Sequence, residues 1–130
     1  MINVSIFITS HTQHLKKLLV IENDVDTLEI TSLIFENEYD VITSTKRLPI
    51  DKIEEINPNV IIVDYRLDDI LGSEICLEIK NNPSTKHIPI VLFSASHNIA
   101  EIAHASCVDA FVRKPFDIDD IVKVVNDLAL

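Results

Sequence analysis

A single glycine, Gly72, stands among 130 residues. Phosphate-cradling loops need several glycines, because backbone amides approach a phosphate only where no Cβ intrudes. A small nucleotide-binding or hydrolase domain built on a glycine-rich loop is therefore disfavoured. Cysteine is nearly as scarce. Cys76 and Cys107 have no metal-ligand spacing, and two thiols build no disulfide scaffold, so both are expected reduced. No apolar run approaches the roughly 18 residues of a membrane helix. The opening MINVSIFITS lacks a basic flank, a continuous apolar stretch and a small-residue cleavage site, so no signal peptide is read there. The expected compartment is the cytoplasm. Basic residues are also few: 11 Lys and Arg face 21 Asp and Glu, a formal net charge of −10. That balance argues against nucleic acid and anionic membranes as partners. It suits a cation or a basic protein surface.

What the chain does have is a regular alternation. Its length favours one domain with a real core. Short apolar runs fall at 17–21 (KLLVI), 39–43 (YDVIT), 59–64 (NVIIVD), 88–94 (IPIVLFS) and 110–112 (AFV). Continuous runs of this kind suit strands buried on both faces of a parallel sheet. Helical patterns lie between and after them. Residues 25–37 carry Leu28, Ile30, Leu33, Ile34 and Phe35. Residues 50–56 carry Ile50, Ile53 and Ile56, stopped by Asn57-Pro58. Residues 73–81 carry Ile75 and Ile79, and 97–106 form a short small-residue segment. Residues 118–129 carry Ile118, Ile121, Val122, Val125 and Leu128, with Asp117 as N-cap and Phe116 with Ile121 as a hydrophobic staple. The order is (βα)5, which predicts an open, mostly parallel α/β sheet with helices on both faces. Residues 1–14 are left over as an N-terminal extension, either an extra strand with Ile2, Val4, Ile6 and Ile8 alternating or a poorly packed leader.

Functional residues of such sheets gather at the carboxyl ends of the strands. The first run ends at Glu22, Asn23 and Asp24; the third ends at Asp64. The fourth ends at Ser94, followed by small Ala95, and the fifth leads into Lys114-Pro115-Phe116. Taken singly, each residue has an ordinary explanation: an acidic helix start, a turn serine, a solvated lysine. Ordinary explanations do not place these types together at four strand ends.

Four segments carry a resemblance: KKLLVIENDVD, NPNVIIVDYRLDDILG, IPIVLFSAS and VRKPFD. In that order and at those separations, residues 15–130 resemble a receiver domain of two-component response regulators, of the chemotaxis-type single-receiver kind. The resemblance implies a flavodoxin-like three-layer sandwich with a five-stranded parallel sheet in the order 2-1-3-4-5. It implies Asp64 as phosphoacceptor, with Ser94 and Lys114 binding the phosphoryl oxygens. It implies Mg2+ or Mn2+ held by Glu22, Asn23, Asp64 and the backbone carbonyl of Arg66. Hard divalent cations take such oxygen donors. Ser94 and Phe111 would form the switch, and Arg66 and Ser96 would tune the lifetime of the phosphoryl group. The partners implied are a sensor histidine kinase or histidine phosphotransfer protein and an unidentified downstream protein, met through the fourth helix, fifth strand and fifth helix. Homodimerisation through that surface stays open. Such a domain is a phosphotransfer signalling protein whose only catalysis is on its own aspartate. It is either a stand-alone regulator or a piece of a larger protein.

Three departures from the usual pattern stand out. Asn23 occupies a position that is usually Asp, so weaker Mg2+ binding is expected. Asp24 is adjacent, but its side chain is expected to turn into the first helical turn. Asp68 replaces a common proline, so a more mobile loop is expected, with Asp68 and Asp69 as loop charges and Gly72 permitting the turn. The Lys114-Pro115 bond is a candidate cis peptide by the same resemblance. Asn23 also supports the alternative reading, a pseudo-receiver acting as a phosphorylation-independent interaction module.

Overall fold

The computed structural model describes residues 15–130. The extra strand or leader expected over 1–14 lies outside the described residues. Among those described, five strands alternate with five helices: β1 (Lys16–Ile21), α1 (Val25–Phe35), β2 (Tyr39–Ser44), α2 (Ile50–Ile56), β3 (Val60–Asp64), α3 (Gly72–Lys80), β4 (Ile90–Ser94), α4 (Ile99–Ala105), β5 (Ala110–Arg113) and α5 (Ile118–Leu128). The ladders are all parallel, in the order β2-β1-β3-β4-β5. The expected order is the observed one.

Period-two alternation splits the core. Leu19, Ile21, Ile61, Val63, Ile90 and Leu92 point to one face, where Ile53 of α2, Ile75, Cys76 and Ile79 of α3, and Ile99 of α4 cover them. Leu18, Val20, Val60, Ile62, Val91 and Phe93 point to the other, beneath Phe35 of α1 and Ile121 and Val125 of α5. Burying one such aliphatic side chain contributes roughly 1.5–3 kcal/mol. The central strand β3 is buried at all five residues, so its last residue, Asp64, is held by a frame with apolar packing on both sides.

Element ends follow local chemistry. α2 stops at Asn57, which adopts the left-handed conformation (φ 50°) and donates its N–H to Ile53 O at 2.9 Å. β4 starts at Ile90 rather than Ile88, because Pro89 has no N–H to offer a ladder; its carbonyl still accepts from Ile61 N at 3.0 Å. α5 begins as expected: Asp117 accepts from Asp119 N at 2.9 Å, and Phe116 packs into the cluster that buries Ile121. Not every apolar helix residue is buried. Val25, Ile30 and Leu33 of α1 are exposed, as is Ile118 of α5, while Thr31 is fully buried with its hydroxyl donated to Thr27 O at 2.7 Å.

Candidate functional site

The sheet order reverses between β1 and β3, and the carboxyl ends at such a reversal are where open α/β sheets place their ligand sites. Glu22 leaves β1 beside it; its N–H donates to Ser44 O at 3.0 Å, which continues the pairing with β2 by one residue. Asp64 closes β3 opposite Phe93 of β4, and Ser94 closes β4 opposite Arg113 of β5. Lys114 follows β5 directly, its N–H bonded to Ser94 O at 2.9 Å. The topology thus delivers four side chains from four strands to one edge.

Lys114 ties three of these strands together. Its Nζ donates to Glu22 Oε1 at 2.7 Å and to Asp64 Oδ1 at 3.1 Å. Glu22 is 1 % exposed and Asp64 6 %. Burial, with the neighbouring Asp64 carboxylate, pushes the Glu22 carboxyl up to about 7, and Lys114 only partly opposes this. Burial alone would pull the Lys114 ammonium down. The hydrogen bond to Glu22 and the charges of both carboxylates outweigh burial and hold it above its ordinary range. Charge is therefore concentrated and only partly solvated at this edge, the setting in which a reactive carboxylate and an anion-binding lysine are useful.

The rest of the edge is arranged around this triad. Ser94 is buried, its Oγ accepting from Ser96 N at 3.0 Å. Arg66, Ala95, Ser96, His97 and Asn98 line a shallow cleft beside it. Phe111 lies on the surface, 37 % exposed, with the Arg113 guanidinium 5.8 Å from its ring centre; it is not part of the core. The Lys114-Pro115 bond is cis.

Asp24 behaves as expected. It caps α1, its Oδ2 accepting from the Thr27 hydroxyl and from Thr27 N at 3.1 Å, and these bonds, the hydroxyl's first, lower its pKa. Its carboxylate is thus engaged at the start of α1. Asp68 is the residue that sequence reasoning missed. Its Oδ1 accepts from Asn23 Nδ2 at 2.9 Å, joining the β1 end to the loop after β3. That loop carries two backbone ties: Arg66 pairs with Leu71 in an antiparallel bridge, and Gly72 N–H donates to Tyr65 O at 2.6 Å. Gly72 permits the turn through close approach rather than through its backbone angles. Its φ is not positive, so no left-handed turn requires it. A Cβ there would sit 2.1 Å from Asp64 O, so the glycine is required by close approach to the Asp64 backbone.

The donor set suits a hard cation. Glu22 and Asp64 offer carboxylates, Asn23 an amide oxygen and Arg66 a backbone carbonyl. Among the described residues no group of three or more His, Cys, Asp or Glu forms a cation cage by itself. Mg2+ is usually held by one or two carboxylates and keeps several waters, so two carboxylates with neutral oxygens beside them are compatible with it.

Comparison with known proteins agrees with this geometry. The family described as "Response regulator receiver domain" matches residues 18–126. Protein PilG of Pseudomonas aeruginosa is 29% identical over 115 residues, covering 85% of this chain and 84% of PilG. Response regulator Rcp1 of Synechocystis is 33% identical over 73 residues, 55% of this chain, and the match spans 50% of Rcp1. Among solved structures, a response regulator from Chloroflexus aurantiacus superposes with a TM-score of 0.82 at 23% identity, covering 88% of this chain and 98% of that one. The receiver domain of the Pseudomonas aeruginosa sensor histidine kinase PA1611, solved with a magnesium ion coordinated in its active-site cleft, superposes with a TM-score of 0.80 at 16% identity over 88% of this chain and 98% of that one. Fold, strand-end chemistry and a family match running from Leu18 to Asn126 converge: this chain belongs to the response regulator receiver domain family.

Proposed function

We propose that this receiver, residues 15–130, takes a phosphoryl group on Asp64 from a phosphohistidine of a sensor histidine kinase or histidine phosphotransfer protein. The observation that carries the reading is Lys114 Nζ bonded at once to Glu22 Oε1 at 2.7 Å and Asp64 Oδ1 at 3.1 Å, which gathers the strand-end residues into one cluster. An Asp64 oxygen attacks phosphorus. The new O–P bond forms as the N–P bond to the donor imidazole breaks, and the imidazole nitrogen keeps the electron pair. Such chemistry needs positioning and charge neutralisation more than covalent assistance.

The residues at the edge divide the work. Asp64 is held rigidly by β3. Lys114 shifts from pairing carboxylates to pairing phosphoryl oxygens as a point charge. Ser94 donates its hydroxyl to the same group, and Ala95 leaves it room. Glu22, Asn23, Asp64 and the Arg66 carbonyl would hold Mg2+ or Mn2+, which when bound supplies charge neutralisation; a magnesium ion in the active-site cleft of the PA1611 receiver supports a cation here, and the oxygen donors of this chain support the ligand set. Arg66 and Ser96 flank the cleft by which water reaches the phosphoryl group and set its lifetime. Movement of Ser94 towards that group admits Phe111 from the surface, a two-state shift that alters the face of α4, β5 and α5 met by a downstream protein. No helix among the described residues is long and apolar enough to cross a membrane, and the proposed compartment is the cytoplasm.

The test is incubation with a small acyl-phosphate donor and Mg2+, followed by intact mass. A single phosphoryl adduct, absent from Asp64→Asn, is expected. No adduct at any Mg2+ concentration would overturn the reading in favour of a phosphorylation-independent interaction module, which Asn23 would then mark.

A further inference from the structure

Asn23 and Asp68 lie 45 residues apart in sequence and are joined by one hydrogen bond, Asn23 Nδ2 to Asp68 Oδ1 at 2.9 Å. A carboxylate only accepts, whereas a carboxamide has one donating and one accepting end. The opposite amide flip would set Asn23 Oδ1 against Asp68, acceptor against acceptor. Asp68 therefore selects the flip and leaves Oδ1 as the amide atom free for another partner. Asp68 is itself held in place. The Arg66–Leu71 bridge and the Gly72 N–H to Tyr65 O bond at 2.6 Å close its loop directly behind Asp64.

The pair also has a charge consequence. Asn23 and Asp68 together carry one negative charge, the charge an aspartate at position 23 would carry opposite a neutral loop residue. Asp24, the other nearby carboxylate, is committed to capping α1 through Thr27 N at 3.1 Å.

We infer that Asp68 is a positioning residue for the metal site: it orients the Asn23 amide so that Oδ1 faces the cation, and it returns to the site the negative charge that Asn23 lacks. The inference rests on the proposed reading of the Asp64 site. It limits the gain expected of Asn23→Asp. That substitution does not restore a missing charge. It sets two carboxylates against each other at hydrogen-bonding distance, and part of the gain from a charged ligand is lost to their repulsion.

The experiment is a Mg2+ titration followed by amide NMR on the wild type, Asp68→Asn, Asn23→Asp and the double variant Asn23→Asp/Asp68→Asn. In chelator, the side-chain amide resonances of Asn23 should move in Asp68→Asn, reporting the lost bond without any metal. Partners behind a metal ligand typically change affinity by about 10–100-fold, and the lower end suits this exposed position, so Asp68→Asn should weaken Mg2+ binding about tenfold. The double variant, in which the charge has crossed the bond, should recover most of that loss, and its gain over Asp68→Asn should exceed the gain of Asn23→Asp over the wild type; damage to the loop alone would leave the two gains equal and overturn the inference. Asp68→Asn within about twofold of wild type, or a loss the double variant fails to recover, overturns the inference. A wild type that binds Mg2+ nowhere near Asp64 and takes no phosphoryl group overturns the receiver reading itself, and does so before any variant is compared.

Discussion

Gly72 rests its bare Cα against the backbone of Asp64, so close that a Cβ would lie 2.1 Å from Asp64 O and 2.8 Å from its carbonyl carbon. The obstructing atoms are backbone and cannot rotate away. Either α3 or the end of β3 must shift to admit a methyl group. Overpacking of this kind costs about 1–3 kcal/mol. Displacing a reacting carboxylate by an ångström can cost about a hundredfold in rate. Gly72→Ala is therefore expected to lower the urea midpoint by that stability loss and to slow phosphoryl uptake from an acyl-phosphate donor at least tenfold. A variant with wild-type uptake would show that the position of Asp64 does not depend on this contact.

Ser94 and Phe111 allow the proposed phosphorylation and the proposed signalling step to be tested apart. Ser94 is buried beside the candidate phosphoacceptor, whereas Phe111 lies on the surface near Arg113. If the hydroxyl transmits the change, Ser94→Ala should still acquire an adduct on Asp64. Its Phe111 ring resonances should stay at their unphosphorylated positions while those of the wild type move. Loss of the adduct in Ser94→Ala would make the hydroxyl part of the transfer step alone.

The division between what the sequence revealed and what it hid follows from the range of each interaction. Strands such as Val60–Asp64 are legible because burial on both faces demands an unbroken apolar run. The strand-end residues become legible once parallel order is inferred, since topology alone brings Glu22, Asp64, Ser94 and Lys114 together. The Asn23–Asp68 bond was not legible. It joins two loops through polar side chains, and such pairs leave no periodic trace. Gly72 was conspicuous as the lone glycine, but its reason is a tertiary contact and not its own backbone angles. Ile30 and Leu33 look like core residues by type, yet α1 covers the sheet with Phe35 and the small buried Thr31.

Tyr39 joins β2 to α5 through its hydroxyl, which donates to Asn126 Oδ1 at 2.6 Å. Burial first, and the Glu38 charge second, raise the Tyr39 pKa above its usual 10.0. A raised folded-state value means that the folded protein keeps this proton when the unfolded chain has lost it. The stabilising contribution is complete below pH 10.0 and disappears as pH rises through the higher folded value. Tyr39→Phe removes the bond and the titration together. It should cost about 1 kcal/mol at neutral pH. The gap between wild type and variant in urea unfolding should narrow as pH rises above the ordinary tyrosine range. A gap that widens there would reverse the assigned sign.

The two thiols should differ sharply in reactivity. Both are free; Cys76 is fully buried in α3 against the sheet, and Cys107 is exposed at a left-handed position with φ 60°. Burial pushes the Cys76 thiol up to about 12, so it holds almost no thiolate at neutral pH. A disulfide-exchange reagent should therefore label one thiol of the native protein quickly, and the second only after denaturant is added. Peptide mapping should place the fast label on Cys107, and Cys107→Ser should abolish it. Because Cys76 packs with Ile75 and Ile79 in the core beneath the sheet, the rate of the second label reports opening of α3. That rate should rise in Gly72→Ala, whose added methyl group strains the first turn of the same helix. A second label no faster in Gly72→Ala would show that the strain is absorbed in β3 and the loop rather than in α3.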